Sequence, residues 1–355
     1  MNQKNHNSGN EWKKYKWGDL ATLEYGKGLG NYLREDGKYP VYGTNGRIGT
    51  TDNLLCPFPS IVVGRKGAYR GIHYSKTPFY VIDTAFFLNP KIPDLDITFA
   101  YYQLLTVDIN YMDSGSAIPS TSREDFYDID IFLPPINEQR SIASILSSLD
   151  DKIDLLHRQN KTLEQLAETL FRQWFVEEAD ENWVKGLLED FVNIAYGKNL
   201  PTSKLLKRGY PVFGGNGRIG FYDKFLYELP QVLVSCRGEA SGVVNISLPK
   251  SFVTNNSLVL EIKDNNITFE FLKYFSLFTD FKVYITGSAQ PQITIETLKQ
   301  ADFFLPPLDL INRFSNLVGD YEIKRSKNKI QIQVLTQLRD TLLPKLISGE
   351  VRVKI

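Results

Sequence analysis

Few side chains in this sequence have the type and spacing that catalysis needs. Glu261 and Lys263 lie one residue apart at the end of an apolar run, which is the Glu-x-Lys spacing of some metal-dependent nucleases. A carboxylate can ligate a divalent cation that activates water, so the pair is a candidate nuclease site. The matching stretch earlier in the chain, Asn89-Pro90-Lys91, lacks the carboxylate. We therefore expect an ordinary strand end here, with a nuclease as the alternative.

Other signatures of an active site are missing from the sequence. The three histidines, His6, His73 and His157, have no cysteine or histidine neighbours at zinc-binding spacing. The phosphate-binding pattern GxxxxGK[ST] does not occur, and the glycines of GTNGRIG are not spaced for a dinucleotide. We predict that the chain is not an enzyme, with no catalytic residue, no metal site and no cofactor of its own.

The chain repeats itself over most of its length. YPVYGTNGRIGTTD at 39–52 returns as YPVFGGNGRIGFYD at 210–223, with ten of fourteen positions identical. Further matches follow in the same order, and FLPP at 132–135 returns at 304–307. A repeat this long indicates two copies of one domain and not a solenoid. Short β-rich runs such as SIVVGRK alternate with helical patches such as ITFAYYQLLTVD, which predicts an α+β domain.

After the Pro-Pro pair, each copy becomes helical and carries a seven-residue repeat. The first helix repeats at Ile142, Leu149, Leu156, Leu163 and Leu170, and the second at Phe314, Tyr321, Asn328, Leu335 and Leu342. A second row is predicted three residues after the first, at Ile145, Lys152, Gln159 and Leu166 and at Leu317, Lys324, Gln331 and Leu338. We predict N-caps at Asn137 and Asp309, a stop at Gly349, and two long helices paired as a coiled coil. The alternative is that each helix lies on its own domain.

The predicted fold is α+β, with two tandem repeated domains separated by two long helices that form an antiparallel coiled coil with pseudo-two-fold symmetry. The segments are a disordered tail at 1–10, the first domain at 11–135, the first long helix at 136–181, the second domain at 182–307, and the second helix with a C-terminal tail at 308–355. No apolar run reaches a membrane-spanning length, and the N-terminus lacks a secretory signal. Cys56 and Cys236 occupy non-equivalent places, which indicates free thiols in the cytoplasm.

Four motifs together resemble one family, the specificity subunits of type I restriction–modification systems. They are the repeated YPV[YF]GxNGRIG, the pair GSAIPSTSREDFYDIDIFLPP and GSAQPQITIETLKQADFFLPP, PPINEQRSIASILSSLDDKI at 134–153, and LRDTLLPKLISGEV at 338–351. The resemblance covers essentially the whole chain. It departs at the start of the second helix, where Leu310-Ile311-Asn312 replaces Glu138-Gln139-Arg140.

The resemblance implies that the repeated domains are target-recognition domains, each reading one half of a bipartite, asymmetric site in double-stranded DNA. The helices would set the spacer and dock two modification (methyltransferase) subunits, which are joined by restriction (endonuclease and translocase) subunits. S-adenosylmethionine, ATP and Mg²⁺ are then expected on those partners only, in a bacterial or archaeal cytoplasm near the nucleoid. The interface candidates are Ile142, Leu149, Leu156, Leu163, Leu170, Leu335, Leu338 and Leu342. The alternative function is a binding or oligomerisation scaffold without DNA specificity.

The repeat also separates two kinds of DNA contact. Side chains identical in both copies, such as Arg47 and Arg218, do not distinguish two different half-sites and suit phosphate contact or a structural ion pair. Base readers are expected where the copies diverge, because Arg can contact guanine and Gln can contact adenine through two hydrogen bonds. The DNA-binding candidates are Arg47, Arg65, Lys66, Tyr69, Arg70, Arg218, Arg237, Gln290 and Gln292. The alternative for each is an ordinary solvated surface residue.

Overall fold

The computed structural model of the chain describes residues 11–112, 119–287 and 290–353. The chain divides into two compact units. The first unit combines the chain up to Leu156 with the chain from Ile330 onwards, and the second runs from His157 to Lys329. The predicted tail at 1–10, residues 115–118 of the first GSA motif, and Ser288 and Ala289 of the second lie outside the described residues.

The first unit contains three sheets. Its strands are β1 (Lys13–Lys16), β2 (Ala21–Tyr25), β3 (Tyr39–Gly43), β4 (Gly46–Thr51), β5 (Ser60–Gly64), β6 (Ile72–Ser75), β7 (Tyr80–Val81), β8 (Ala85–Pro90) and β9 (Asp130–Leu133). They form an antiparallel pair β1-β9, an antiparallel sheet in the order β2-β8-β5-β6, and a sheet β4-β3-β7 in which β3 and β7 are parallel.

The second unit repeats these sheets strand for strand. Its strands are β10 (Val184–Leu187), β11 (Val192–Tyr196), β12 (Tyr210–Gly214), β13 (Gly217–Tyr222), β14 (Val232–Ser235), β15 (Val244–Ile246), β16 (Phe252–Val253), β17 (Ser257–Ile262) and β18 (Asp302–Leu305). The sheets are β10-β18, β11-β17-β14-β15 and β13-β12-β16, with β12 and β16 parallel. The predicted repetition of one α+β domain is therefore confirmed.

The central strands β5 and β14 are buried on both faces, which explains their unbroken apolar sequences. In β5, Ile61 and Val63 face the main core of the first unit, whereas Val62 faces a smaller cluster with Val81 and Phe87. The same alternation holds in β14, where Leu233 faces the smaller cluster. Each sheet is thus fixed from two sides, and its loops are anchored at both ends.

The α-helices are α1 (Trp17–Leu20), α2 (Ile97–Leu104), α3 (Arg123–Asp128), α4 (Ile136–Arg172), α5 (Leu188–Phe191), α6 (Phe269–Phe278), α7 (Ile295–Lys299) and α8 (Leu308–Ile347). The predicted long helices are confirmed, with 37 residues in α4 and 40 in α8.

The predicted N-caps of the two long helices are wrong, because Asn137 and Asp309 lie inside the first turns. The carbonyls of Pro135 and Pro307 instead accept the first helical hydrogen bonds. The predicted stop is confirmed, since Gly349 follows α8 with φ +75°.

The helices pair antiparallel within each unit. In the first unit, Nη1 of Arg339 on α8 lies 2.8 Å from Oδ1 of Asp150 on α4. Arg352, which follows α8, contacts Glu138 at the start of α4, as an antiparallel pair requires. In the second unit, Nη2 of Arg325 lies 2.8 Å from Oε1 of Glu164. Phe314, at the start of α8, packs there on Phe175, which lies beyond the end of α4.

The first predicted row of the seam is confirmed: Ile142 and Leu156 are buried, and Leu149, Leu163, Leu170, Leu335 and Leu342 are half-buried.

The second row of the seam lies one residue later than predicted, in both helices. Its members follow the first row by four residues instead of three: Leu146, Ile153, Asn160 and Ala167 in α4, and Val318, Arg325, Ile332, Arg339 and Leu346 in α8. Leu166, Leu317 and Leu338 are 45%, 40% and 44% exposed, so their predicted place in the seam is wrong. Both spacings adjoin the first row on a helix, and the row at four residues holds more apolar side chains.

A buried amide pair interrupts the seam of the second unit. Asn328 is 1% exposed, and its Nδ2 donates to Oδ1 of Asn160 at 3.0 Å. A buried polar pair in a coiled coil costs stability but favours one register, because every other register leaves the amide without a partner.

We therefore expect Asn328→Leu to keep or raise the melting temperature while allowing shifted registers of the helix pair. Crosslinking between cysteines introduced at exposed positions on the two helices measures the register directly. Leu166→Asn, which adds an amide at an exposed position of α4, is the control. A single register in Asn328→Leu would contradict the role given to the amide.

The start of α4 explains the sequence departure between the two copies. Glu138 is 1% exposed and binds Arg352 through two hydrogen bonds of 2.5 and 2.7 Å, while Nε1 of Trp12 donates to it at 3.2 Å. Gln139 bonds to the backbone at the start of α2, with Nε2 donating to the carbonyl of Asp94 at 2.9 Å. In the second unit, the buried Ile311 instead packs into the core. The Glu-Gln pair therefore holds the C-terminal tail and α2 in the first unit.

Candidate nucleic-acid interface

The repeated YPV[YF]GxNGRIG motif forms the hairpin β3-β4 in the first unit and β12-β13 in the second. The turn holds Thr44 and Asn45, and Gly46 opens β4 with φ +110°. Gly217 occupies the equivalent position with φ +89°. A side chain at this position would be strained, so the glycine is required by the turn. Asn45 and Asn216 are therefore exposed at equivalent tips.

Each hairpin tip forms one wall of a cleft. In the first unit the cleft measures about 460 Å³ and is lined by Tyr32, Leu33, Gly43, Thr44, Asn45, Ile48, Lys66, Gly67, Ala68, Tyr69, Ile82 and Thr84. In the second it measures about 690 Å³ and is lined by Gly214, Gly215, Asn216, Ile219, Arg237, Gly238, Glu239, Ala240, Val243 and Asn256. The two clefts use the same hairpin and the same loop after the central strand.

In each unit, a third segment of the chain pairs with the basic residue that lines the cleft. In the second unit, Arg237 pairs with Gln292 in an isolated β-bridge, and the amide of Gly238 donates to the carbonyl of Pro291 at 3.1 Å. In the first unit, Lys66 pairs with Ser120, and the amide of Gly67 donates to the carbonyl of Pro119 at 3.0 Å. The fold therefore places a basic side chain, the exposed asparagine of the hairpin tip and a divergent loop together in each unit.

Four of the predicted readers thus lie at these clefts. Lys66 and Tyr69 line the first, and Tyr69 is 83% exposed. Arg237 lines the second, and Gln292 lies beside it with its side chain exposed. Lys66 also lies 3.6 Å from Asp83, a surface pair that is worth little in water and that a phosphate can replace. Gln290 is exposed in the same segment as Gln292.

Arg70 is not a surface reader, and its predicted role is corrected. The side chain is 4% exposed, and its Nη2 donates to the carbonyls of Ile109, Asn110 and Met112 at 3.2, 2.8 and 2.8 Å. The guanidinium holds the short 3₁₀ turn Ile109–Tyr111 against the loop that leads into β6. A buried cation bound in this way is unavailable to a base edge.

The side chain of Arg65 makes contacts within the first unit, although part of it remains exposed. Its Nη1 donates to the carbonyl of Asp83 at 2.8 Å, and the guanidinium lies 5.0 Å from the ring centre of Tyr25. The guanidinium of Arg123 lies 4.8 Å from the centre of the same ring. The arrangement stabilises the loop and leaves Arg65 less free than Lys66 to meet a ligand.

Arg47 and Arg218 are exposed next to the hairpin tips. Arg218 lies 5.4 Å over the ring of Phe221, and no ion pair of either arginine is recorded among the described residues. Their sequence neighbours Ile48 and Ile219 line the clefts, whereas the arginines themselves do not, so both lie at equivalent places next to a cleft on the hairpin strand. The alternative of a structural ion pair finds no support in the described chain.

Some cleft residues escaped the sequence analysis. Leu33 is 84% exposed at the first cleft, and Glu239 is exposed at the second. Both lie in segments where the two copies diverge, which is the signal that could have identified them. Neither the apolar side chain of Leu33 nor the carboxylate of Glu239 attracts phosphate, so a pattern of cations and amides does not include them.

The candidate nuclease pair has structural partners. Oη of Tyr227 donates to Oε1 of Glu261 at 2.9 Å, and Nζ of Lys263 donates to the carbonyl of Glu189. Burial, followed by the bond to Glu261, raises the pKa of Tyr227. Within the described ranges, no group of three or more His, Cys, Asp or Glu side chains is placed to hold a metal ion. No helix in those ranges is long and apolar enough to cross a membrane.

Among the described residues, each unit has three sheets in the same strand order and one cleft, and each repeated domain is followed by a long helix. The model of the family described as "Type I restriction modification DNA specificity domain" matches residues 9–165 and 180–332. The chain belongs to this family, and the resemblance found in its motifs is confirmed.

Individual relatives agree with the family. The chain is 25% identical over 279 residues to the type I restriction enzyme MjaIX specificity subunit of Methanocaldococcus jannaschii, a match that covers 68% of this chain and 65% of that relative. It is 26% identical over 368 residues to the putative type I specificity subunit S.MgeORF438P of Mycoplasma genitalium, covering 96% and 94% of the two chains. The crystal structure of a type I restriction–modification S subunit from M. genitalium has the same fold, with a TM-score of 0.72, 23% identity and 98% coverage of both chains.

Proposed function

We propose that this chain is the DNA-reading subunit of a type I restriction–modification complex and that each unit reads one half of a bipartite, asymmetric site. The observation that carries the proposal is the pair of equivalent clefts. The same hairpin and the same loop build both, with Lys66 and Arg237 at one position and Asn45 and Asn216 at another. Two reading surfaces on one chain suit one duplex with two half-sites.

The clefts divide the contacts into two kinds. Arg47 and Arg218, identical in both units, contact phosphates and orient the units on the duplex. The divergent side chains, Tyr69 in the first unit and Arg237 and Gln292 in the second, contact base edges. The half-sites differ because the loops differ, while the repeated hairpins hold the loop of each unit in the same way.

Catalysis belongs to the partners of this chain. In the proposed complex, two methyltransferase subunits methylate adenine with S-adenosylmethionine, and restriction subunits use ATP and Mg²⁺ for translocation and cleavage. The chain itself contributes no catalytic residue and holds no cofactor. The complex works in the cytoplasm, at the nucleoid, where its DNA substrate lies.

Methylome sequencing of a host with and without this gene and its partner genes tests the function. The expected result is a bipartite methyl-adenine motif with an unspecified spacer that appears only with the gene. Exchanging Arg237 and Gln292 for alanine should then change one half of that motif and leave the other half unchanged. Cleavage of DNA by the isolated chain in the presence of Mg²⁺ would contradict the proposal.

The long helices also carry an exposed apolar stripe, which we assign to the methyltransferase subunits. Ile330, Val334 and Leu338 recur every four residues on α8 and are 63%, 57% and 44% exposed. This spacing places them on one face of the helix, which borders the seam at Leu335. An apolar face of this kind is stabilised when a partner covers it.

Val334→Asp is expected to weaken assembly with the methyltransferase subunits about tenfold or more, because a charge at the centre of an apolar contact must lose its water. Sedimentation of the mixed subunits measures the assembly. Gln337→Asp, at an exposed position next to the stripe on the same helix, is the control. Unchanged assembly of Val334→Asp, with a normal circular dichroism spectrum, would disprove the assignment.

A further inference from the structure

The imidazole of His73 lies directly beneath the hairpin tip of the first unit. A Cβ added to Gly46 would stand 3.3 Å from Cε1 of this ring, and one added to Gly71 would stand 2.4 Å from Nε2. The ring also makes a hydrogen bond to the backbone of Thr44, a turn residue of the hairpin. Its Nε2 is buried without a hydrogen-bond partner among the described residues. The ring is thus enclosed between the hairpin and the loop that lines the cleft.

Asn245 takes the same place in the second unit. It pairs with Leu233 of the central strand as His73 pairs with Val62, so the two positions are equivalent. Its Nδ2 donates to the carbonyl of Gly215, the turn residue that matches Thr44, at 3.2 Å. Its Oδ1 would stand 3.3 Å from a Cβ on Gly217. Two different side chains therefore support the same point of an identical hairpin.

A neighbouring position also differs between the two units. The carbonyl of Gly71 accepts from Gly64 in the first unit, and the carbonyl of Val243 accepts from Ser235 in the second, which makes Gly71 and Val243 equivalent. The larger imidazole is thus paired with glycine and the smaller amide with valine. The imidazole leaves no room for a side chain at Gly71, where an added Cβ would lie 2.4 Å from Nε2, whereas Val243 beside the amide is 40% exposed.

We propose that His73 and Asn245 are positioning residues that hold the two hairpin tips over their clefts, and that only the first of these supports responds to protons. The proposal rests on the proposed function where it concerns DNA. Its structural part, the support of the hairpins, stands on the contacts within each unit. An amide side chain keeps its hydrogen bond at every pH that the protein tolerates, whereas an imidazole changes charge near neutrality.

The sign of the response follows from the surroundings of the ring. Burial lowers the pKa of His73, and the bond to the Thr44 backbone opposes this. The ionisable side chains on the packed segments are Tyr39, Tyr42 and Arg47 on the hairpin and Arg65, Lys66, Tyr69 and Arg70 on the loop, and none of them contributes to the shift. The support is therefore complete above the ordinary imidazole pKa of about 6.5 and is lost as the pH falls through the lowered value.

Amide hydrogen exchange on the free protein tests the structural part. Between about pH 7.5 and about pH 5.5, corrected protection of the first hairpin tip should fall by up to about tenfold, because uptake of one proton changes an equilibrium by at most a factor of ten per pH unit below the ordinary imidazole pKa of about 6.5. Protection of the second tip should stay constant. The double variant His73→Asn/Gly71→Val, which gives the first unit the second unit's pair, should abolish the response. Asn245→His/Val243→Gly should create a response in the second unit.

Equal protection of both wild-type tips at both pH values would overturn the proposal, as would a response that persists in His73→Asn/Gly71→Val. The single variant His73→Asn keeps a donor for the Thr44 carbonyl and provides the same comparison if a double variant does not fold. DNA titration of the assembled complex is a separate arm. If the exchange response appears and the affinity for one half-site does not follow it, the positioning role stands and the reading of DNA by this cleft fails.

Discussion

Arg237→Ala is expected to lower the affinity of the assembled complex for its site about tenfold to a hundredfold, the discrimination that one well-placed arginine gives. The side chain is exposed at the second cleft, next to Gln292, in a loop whose sequence differs from that of the first unit. The loss should disappear when the half-site read by the second unit is already mutated, because the contact is then missing in both proteins. Titration against a panel of half-site mutants at constant salt measures this dependence.

Two variants of the second unit separate reading from attraction by charge. Arg218→Ala removes a cation next to the same cleft, but this arginine belongs to the hairpin motif that both units repeat. We expect it to weaken binding to all sequences about equally and to reduce the salt dependence by about one counterion. Lys250→Ala, in a pair with Glu228 outside the cleft, should have little effect. Equal losses from Arg237→Ala on intact and mutated half-sites would contradict its role as a reader.

Phe171→Ala should destabilise the second unit by about 3–5 kcal/mol, the range for removing a buried aromatic ring. Phe171 is 1% exposed, and its ring lies 5.1, 5.0 and 5.7 Å from those of Phe175, Phe278 and Phe314. The residue joins α4, α6 and α8, so its removal leaves a cavity where three helices meet. Chemical denaturation gives the change in free energy, and hydrogen exchange locates it in the second unit.

Leu166→Ala is the matched control on the same helix. Leu166 is 45% exposed, because the second row of the seam lies one residue later than its sequence spacing predicts. Its truncation should cost less than about 1 kcal/mol, as surface substitutions usually do. A loss from Leu166→Ala as large as that from Phe171→Ala would show that the seam runs through Leu166 after all.

The sequence was most informative where it was repeated. The hairpins, the buried central strands and the long helices follow from periodicity and from two copies of the same pattern. The second row of the seam did not, because residues three and four positions apart both adjoin the first row on a helix. The N-caps were misplaced since Asn and Asp are good caps in general, whereas here Pro135 and Pro307 accept the first bonds.

The site was predictable in its parts but not in its assembly. That Arg237 and Gln292 are neighbours depends on a β-bridge between segments more than fifty residues apart, which no local pattern reveals. Arg70 looked exposed in a glycine-flanked loop, yet its carbonyl partners lie about forty residues later in the chain. Burial of this kind is set by tertiary contacts and leaves no local signature in the sequence.

The division of the chain into units has a consequence for biosynthesis. The first unit needs residues from Ile330 onwards, including Leu346 and Ile347 in its core and Arg352 against the buried Glu138. The second unit is continuous in sequence, so it is the first to be complete as the chain leaves the ribosome. We expect ribosome-arrested chains that expose residues up to Lys329 to protect the second unit from proteolysis and to leave the first one sensitive. The half of the molecule that is made first would be the half that folds last.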